Sequence, residues 1–171
     1  MIAYAITDSW KRLDAIAQKA TMVVYRDKTT PHYSQNAQLF LNQAKEYTFD
    51  KILLHQDYQL AHRLRADGIH LTSRQIEDIV KAKALGLFVV VSTHTHDEAL
   101  RAQRLGANMI TYSPIFDTPN KGNPIGLGAL KELQGIISLP IIALGGIITK
   151  EQIQMCIDSG ASGFASIRYF K

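Results

Sequence analysis

What most limits the fold of this chain is a unit that recurs along its whole length. A short apolar run is followed by a polar turn, then by an amphipathic stretch that ends near glycine. Apolar runs of this kind suit strands buried on both faces, as in a parallel sheet. They fall at Ile2–Thr7, Met22–Arg26, Ile52–His55, Gly68–Leu71, Phe88–Ser92, Met109–Ser113, Ile141–Leu144 and Gly163–Ile167. Helices are expected between them. Thr72-Ser73-Arg74-Gln75, Thr95-His96-Asp97-Glu98 and Thr149-Lys150-Glu151-Gln152 each fit a capping box, in which hydroxyl and N3 side chain satisfy each other's amides. Gly86, Gly106 and Gly160 stand where these helices should stop.

Eight strands alternating with seven helices predict an α/β chain, and eight is the number that closes a (β/α)8 TIM barrel. An open doubly wound sheet is the alternative, but it more naturally uses five or six strands. At 171 residues the chain is shorter than the usual lower length of that barrel, ~200. Four residues follow the eighth run, so a compact barrel lacking most of the eighth helix is expected, as a single domain over residues 1–171. The gap should bare apolar barrel surface for a partner subunit to cover, which makes a homodimer an expectation.

Composition narrows the function classes. With 46% hydrophobic and 20% charged residues the chain reads as an ordinary globular protein, not collagen-like or disordered. The single cysteine, Cys156, excludes an intrachain disulfide and a multi-cysteine zinc site. A net charge of +4 is scattered along the chain, a weak pointer to an anionic ligand and a poor match to nucleic acid. No apolar run approaches the ~18 residues of a membrane span. The segment Met1–Thr7 lacks the features of a signal peptide, so the expected compartment is the cytoplasm.

In a parallel barrel, ligands meet the C-terminal ends of the strands and the loops after them. The glycine pair of Leu144-Gly145-Gly146-Ile147 follows the seventh strand, and Ser166 and Ile167 end the eighth. Loops there commonly hold phosphate, and glycine lets backbone N–H groups approach an oxyanion. A tight turn is the plain alternative. Arg26 and Lys28 stand two residues apart in Tyr25-Arg26-Asp27-Lys28, so in extended geometry both point to one side. A diphosphate would suit them, although the tetrapeptide alone reads better as a solvated pair around Asp27. The long loop Ser113–Pro124 reads as a lid, with Lys121 able to swing onto an anionic substrate, or as a mobile loop with an exposed lysine. Among the histidines, His70 reads as a hydrogen-bonded barrel residue, His94 as a helix N-terminal group and His96 as solvated. His55, ending the third strand, is the candidate general acid–base group.

Seven segments in register resemble the thiamine phosphate synthase and TenI family. They are Tyr4-Ala5-Ile6-Thr7-Asp8, Tyr25-Arg26-Asp27-Lys28, Ala66-Asp67-Gly68-Ile69-His70-Leu71, Val91-Ser92-Thr93-His94-Thr95, Ser113 to Lys121, Pro140 to Ile147 and Gly160 to Ile167. The resemblance implies a (β/α)8 barrel. It implies a thiazole phosphate held by Gly145, Gly146, Ser166 and Ile167, and a diphosphate held by Arg26, Lys28, Ser92 and Lys121. The family's synthases join an aminopyrimidine methyl diphosphate to hydroxyethylthiazole phosphate and release diphosphate. Their chemistry is dissociative, so the protein must stabilise the leaving group.

The chain also departs from the family's pattern. The synthases carry an Asn-Asp pair after the third strand and a further aspartate, these carboxylates binding magnesium. His55 and Gln56 stand at the pair, and Gln75 at the further position. Neutral amides are poor ligands for Mg²⁺, so no metal site is expected in the protein, and Mg²⁺ would matter only if synthase activity is retained. TenI-type thiazole tautomerases use a histidine after the sixth strand, where this chain has Pro114. The first expectation is therefore a TenI-like thiamine-biosynthesis protein that binds thiazole phosphate or its adduct, with His55 and Lys121 as its catalytic candidates. An atypical thiamine phosphate synthase is the second, and a non-catalytic ligand-binding or regulatory barrel the third. The implied partners are small phosphorylated thiazole and pyrimidine substrates.

Overall fold

The computed structural model describes residues 1–171. The apolar runs form eight strands: β1 (Ile2–Thr7), β2 (Met22–Tyr25), β3 (Lys51–His55), β4 (Gly68–Leu71), β5 (Phe88–Thr93), β6 (Met109–Tyr112), β7 (Ile141–Leu144) and β8 (Gly163–Ser166). They pair in parallel in chain order, and β8 closes on β1 with Ala3 opposite Phe164. The result is a closed (β/α)8-type barrel. Its helices are α1 (Leu13–Ala17), α2 (Tyr33–Ala44), α3 (Tyr58–Arg63), α4 (Ile79–Ala84), α5 (His96–Arg104), α6 (Gly126–Gln134) and α7 (Lys150–Asp158).

Strand ends differ from the sequence reading where the chain turns into the mouth. Arg26, Ser113 and Ile167 lie just beyond their strands, in loops. The capping box at Thr149 forms in full, with Gln152 N–H donating to Thr149 Oγ1 and Thr149 N–H to Gln152 Oε1. The one at Thr72 instead opens a 3-10 turn, Ser73–Asp78, because Gln75 leaves helical geometry at φ −111°.

Two apolar layers hold the barrel. Inward side chains, among them Tyr4, Met22, Val24, Leu53, Val90 and Ile142, fill the interior. Outward ones pack under the helices in a cluster of 40 buried residues, against nine inside. Each large aliphatic side chain so buried contributes about 1.5–3 kcal/mol. Most of the apolar stabilisation therefore lies between strands and helices, which leaves the interior free to be polar toward the mouth.

The bare surface expected beside β8 is absent. After β8 the chain makes a single 3-10 turn, Arg168–Phe170. Phe170 folds back and stacks on Phe164 at 5.6 Å, and Tyr169 meets the Phe164 ring edge-on at 5.2 Å. Phe164 is thereby 1% exposed. Two aromatic rings do the covering expected of a partner subunit, and the ground for a homodimer at that seam falls away. No helix is long and apolar enough to cross a membrane.

Candidate active site

Parallel pairing puts all eight C-terminal strand ends at one mouth. A cavity of about 520 Å³ opens there. Arg26 and Lys28 line it from the β2 loop, His55 from β3, His70 from β4, and Ser92 and His94 from β5 and its loop. Ser113, Thr118 and Lys121 reach it from the β6–α6 loop, and Gly145 and Ile167 from the turns just after β7 and β8. Ile6, Ile125 and Leu144 form its apolar wall, and no aspartate or glutamate lines it.

The two cations of the β2 loop do share a side. Asp27 between them is occupied elsewhere, accepting from the Thr29 N–H at 3.0 Å, the Thr29 hydroxyl at 2.8 Å and the Thr30 N–H at 3.3 Å. That turn braces the loop. Burial lowers the Arg26 pKa, which a freely solvated pair would not show. The Lys28 pKa is lowered by the Arg26 charge first, then by burial and by Lys121. Lys121, 93 residues further along, is therefore within electrostatic reach of Lys28. Three cations without a carboxylate raise the energy of the free site, and an entering polyanion relieves it.

His55 is buried, and its imidazole makes no hydrogen bond to the protein; only its backbone N–H is engaged, donating to the Tyr33 hydroxyl at 3.0 Å. Burial first, then the charges of Arg26 and Lys28, push its pKa down to about 3. At neutral pH its imidazole is uncharged and a weak base, so it suits ligand contact better than the acid–base role expected of it. His70 is the barrel histidine the sequence suggested, bonded through both ring nitrogens to Tyr4 and Ser92. His94 lines the cavity, with Nδ1 3.0 Å from the Ser113 carbonyl oxygen.

The glycine pair is explained differently from expected. Gly145 and Gly146 have φ of +104° and +68°, a region L side chains avoid. A Cβ on Gly145 would lie 2.7 Å from Pro114 Cα, and one on Gly146 2.5 Å from the Asp117 carbonyl oxygen. The β6–α6 loop fills the space that a Cβ at either position would take. The loop is hydrogen-bonded there too, Ile115 N–H donating to Leu144 O and Phe116 N–H to Gly145 O. Ser166 is likewise occupied: its hydroxyl donates to Ile147 O at 2.9 Å and accepts from Tyr169 N–H. What remains open are the N–H groups of Gly145, Gly146, Ile147 and Ile167, none of which donates to any group in the chain. Such unpaired amides at adjacent strand ends suit a phosphate.

Residues 3–170 match the family described as thiamine monophosphate synthase. The chain belongs to that family. Among its relatives, the putative thiamine-phosphate synthase 2 of Aquifex aeolicus is 38% identical over 122 residues, covering 70% of this chain and 65% of that protein. The thiamine-phosphate synthase of Methanosarcina barkeri is 29% identical, covering 96% of this chain and 80% of that one. A solved thiamine phosphate pyrophosphorylase from Pyrococcus furiosus superposes with a TM-score of 0.83 at 26% identity, covering 97% of this chain and 85% of that one. The chain spans less than two thirds of the first three curated relatives it matches, 65%, 51% and 59%. Their names weigh toward the synthase reading rather than the TenI-like one.

A synthase-type magnesium site does not fit the side chains of this family member. Gln75 is tied at both ends, its Oε1 accepting from the Thr72 N–H at 3.1 Å and its Nε2 donating to the Gln56 carbonyl at 3.0 Å. Gln56 is outside the cavity lining. Asp57, the nearest carboxylate in sequence, caps α3 by accepting from Leu60 N–H at 2.9 Å. No three His, Cys, Asp or Glu side chains come together around a point that could hold a metal ion.

Proposed function

We propose that the chain is a thiamine-phosphate synthase whose diphosphate site is built from side-chain cations. The observation that carries this is that one cavity has two places for anions. Arg26, Lys28 and Lys121 form the first, with no carboxylate lining the cavity, and the unpaired amides of Gly145 and Ile167, which line it after β7 and β8, form the second. A tautomerase acting on one thiazole phosphate has use for the second alone. A transferase that brings a diphosphate to a monophosphate needs both.

In the proposed reaction the methylene–oxygen bond of the aminopyrimidine methyl diphosphate breaks, and its electron pair leaves with the diphosphate. A bond forms between that methylene carbon and the thiazole nitrogen, giving thiamine phosphate. Arg26, Lys28 and Lys121 meet the negative charge that develops on the leaving oxygen. Ser92 donates a hydrogen bond to the same group. The amides near Gly146 and Ile167 hold the thiazole phosphate, and the apolar wall of Ile6, Ile125 and Leu144 excludes water between the rings. Lys121 acts here as an electrostatic group, and His55 as a neutral ligand contact. No step passes through a metal ion.

The test is incubation of the protein with both substrates, with and without a chelator, reading thiamine phosphate and diphosphate by chromatography. Product in both conditions is the expected result. Isomerisation of a thiazole carboxylate phosphate without coupling would replace this reading with the TenI-like one. Tight binding of both substrates with no product would replace it with the non-catalytic one.

A further inference from the structure

Tyr4 is fully buried inside the barrel, and its hydroxyl has one partner, Nδ1 of His70 at 2.9 Å. Across the imidazole, Nε2 lies 2.9 Å from Oγ of Ser92. The Tyr4 and His70 rings are stacked, 5.6 Å apart and 20° from parallel, which holds both in place. Burial keeps the phenol protonated and, with the Arg26 charge, keeps the imidazole neutral. The proton order then follows from satisfying every group. A phenol O–H in the core must donate, and Nδ1 is its only acceptor. That leaves the imidazole proton on Nε2, which donates to Ser92 Oγ. The Ser92 O–H has no acceptor of its own in the chain, and Ser92 lines the cavity.

We infer that Tyr4 and His70 are positioning residues that commit the Ser92 hydroxyl to donating into the cavity, toward an oxygen that only accepts. As to the ligand, a diphosphate, this rests on the proposed function; the proton order itself does not. The reverse order would strand the Tyr4 hydrogen and make Nε2 accept from the Ser92 hydroxyl, leaving Ser92 only lone pairs to turn toward an anion.

Nitrogen-15 NMR of the His70 ring in the ligand-free protein reads the tautomer directly, and the expected result is Nε2–H. Isothermal titration of inorganic diphosphate then compares Tyr4→Phe, Ser92→Ala and the double variant. Tyr4→Phe keeps the ring and its packing, and should weaken binding about three- to tenfold. In the Ser92→Ala background the same change should add nothing, since Tyr4 acts through Ser92. An Nδ1–H tautomer, or losses that add in the double variant, overturns the inference. If Tyr4→Phe does not fold, the tautomer of the unaltered protein still decides. An Nε2–H tautomer in a protein that binds no diphosphate supports the relay and overturns the proposed function instead.

Discussion

The two inward histidines should make this barrel sensitive to acid well above the range of carboxylates. His55 and His70 have pKa values pushed down to about 3, by burial first; cation charge adds to this at His55, and the neighbouring His55 and Arg26 at His70. Unfolded, both return to about 6.5. Between those values the unfolded chain binds protons that the folded one does not, so stability rises with pH through the window. It is fully present above about 6.5 and is lost as pH falls toward 3. Each histidine contributes a slope of at most about 1.4 kcal/mol per pH unit. From pH 6 to pH 4 the integrated loss is about 2.5 kcal/mol for one such histidine. The assay is urea unfolding at pH 6, 5 and 4 on the unaltered protein and on His55→Asn. The asparagine removes a titrating group whose side chain has no protein hydrogen bond to lose. The variant should lose about 2.5 kcal/mol less than the parent between pH 6 and pH 4. Equal pH slopes for the two proteins would refute the reasoning, as would a His55 resonance titrating near 6.5 in the folded state.

Two other outcomes follow from the charges of the site. Lys28→Ala should weaken inorganic diphosphate binding about tenfold while leaving binding of thiazole phosphate within about twofold, measured by isothermal titration, because the lysine stands at the cationic place alone; equal losses for both ligands would merge the two anion places into one. Gln56→Asp combined with Gln75→Asp should make diphosphate binding respond to Mg²⁺, since carboxylates offset the dehydration of the ion where amides do not. Sub-millimolar Mg²⁺ binding to the unaltered protein, abolished by Gln56→Ala, would show instead that the amides are ligands.

The strands were legible because a strand buried on both faces must be apolar along its length, and such a run differs from every other segment of this chain. Strand ends were less so. Arg26, Ser113 and Ile167 continue the runs in composition but lie in loops, since hydrogen bonding to a neighbour, not side-chain type, ends a strand. The seam beside β8 was misjudged for a similar reason. Tyr169 and Phe170 read as a short tail, and only the closed barrel shows that two aromatic rings are enough to cover Phe164. Of the site, Arg26 and Lys28 could be paired from their spacing, but their meeting with Lys121 needed the long loop to fold over the mouth. Tyr4 was quoted in a motif and given no role. The two-residue period of β1 already places it inward with Ile6, and that signal was there to be used.

The glycine pair shows why a residue type can point to the right place for the wrong reason. Gly145 lines the mouth, and its amide and that of Gly146 are two of the four left unpaired. The glycines' lack of a Cβ serves the loop that presses on them, through Pro114, Phe116 and Asp117, rather than a ligand. A valine at either position would therefore push that loop away and strain a positive φ before it met any phosphate. Weakened binding in such a variant would not locate the anion. The amides are donated by the backbone, and no side-chain substitution at these positions removes them. The signal that can separate the two anion places lies where side chains themselves supply the charge, at Arg26, Lys28 and Lys121. Those three positions have no other task in the fold: none of their side chains makes an ion pair or a hydrogen bond within the chain. Desolvated or mutually repelling cations held without partners are unfavourable for the free protein, and their arrangement around one cavity is accounted for by an anion that enters it.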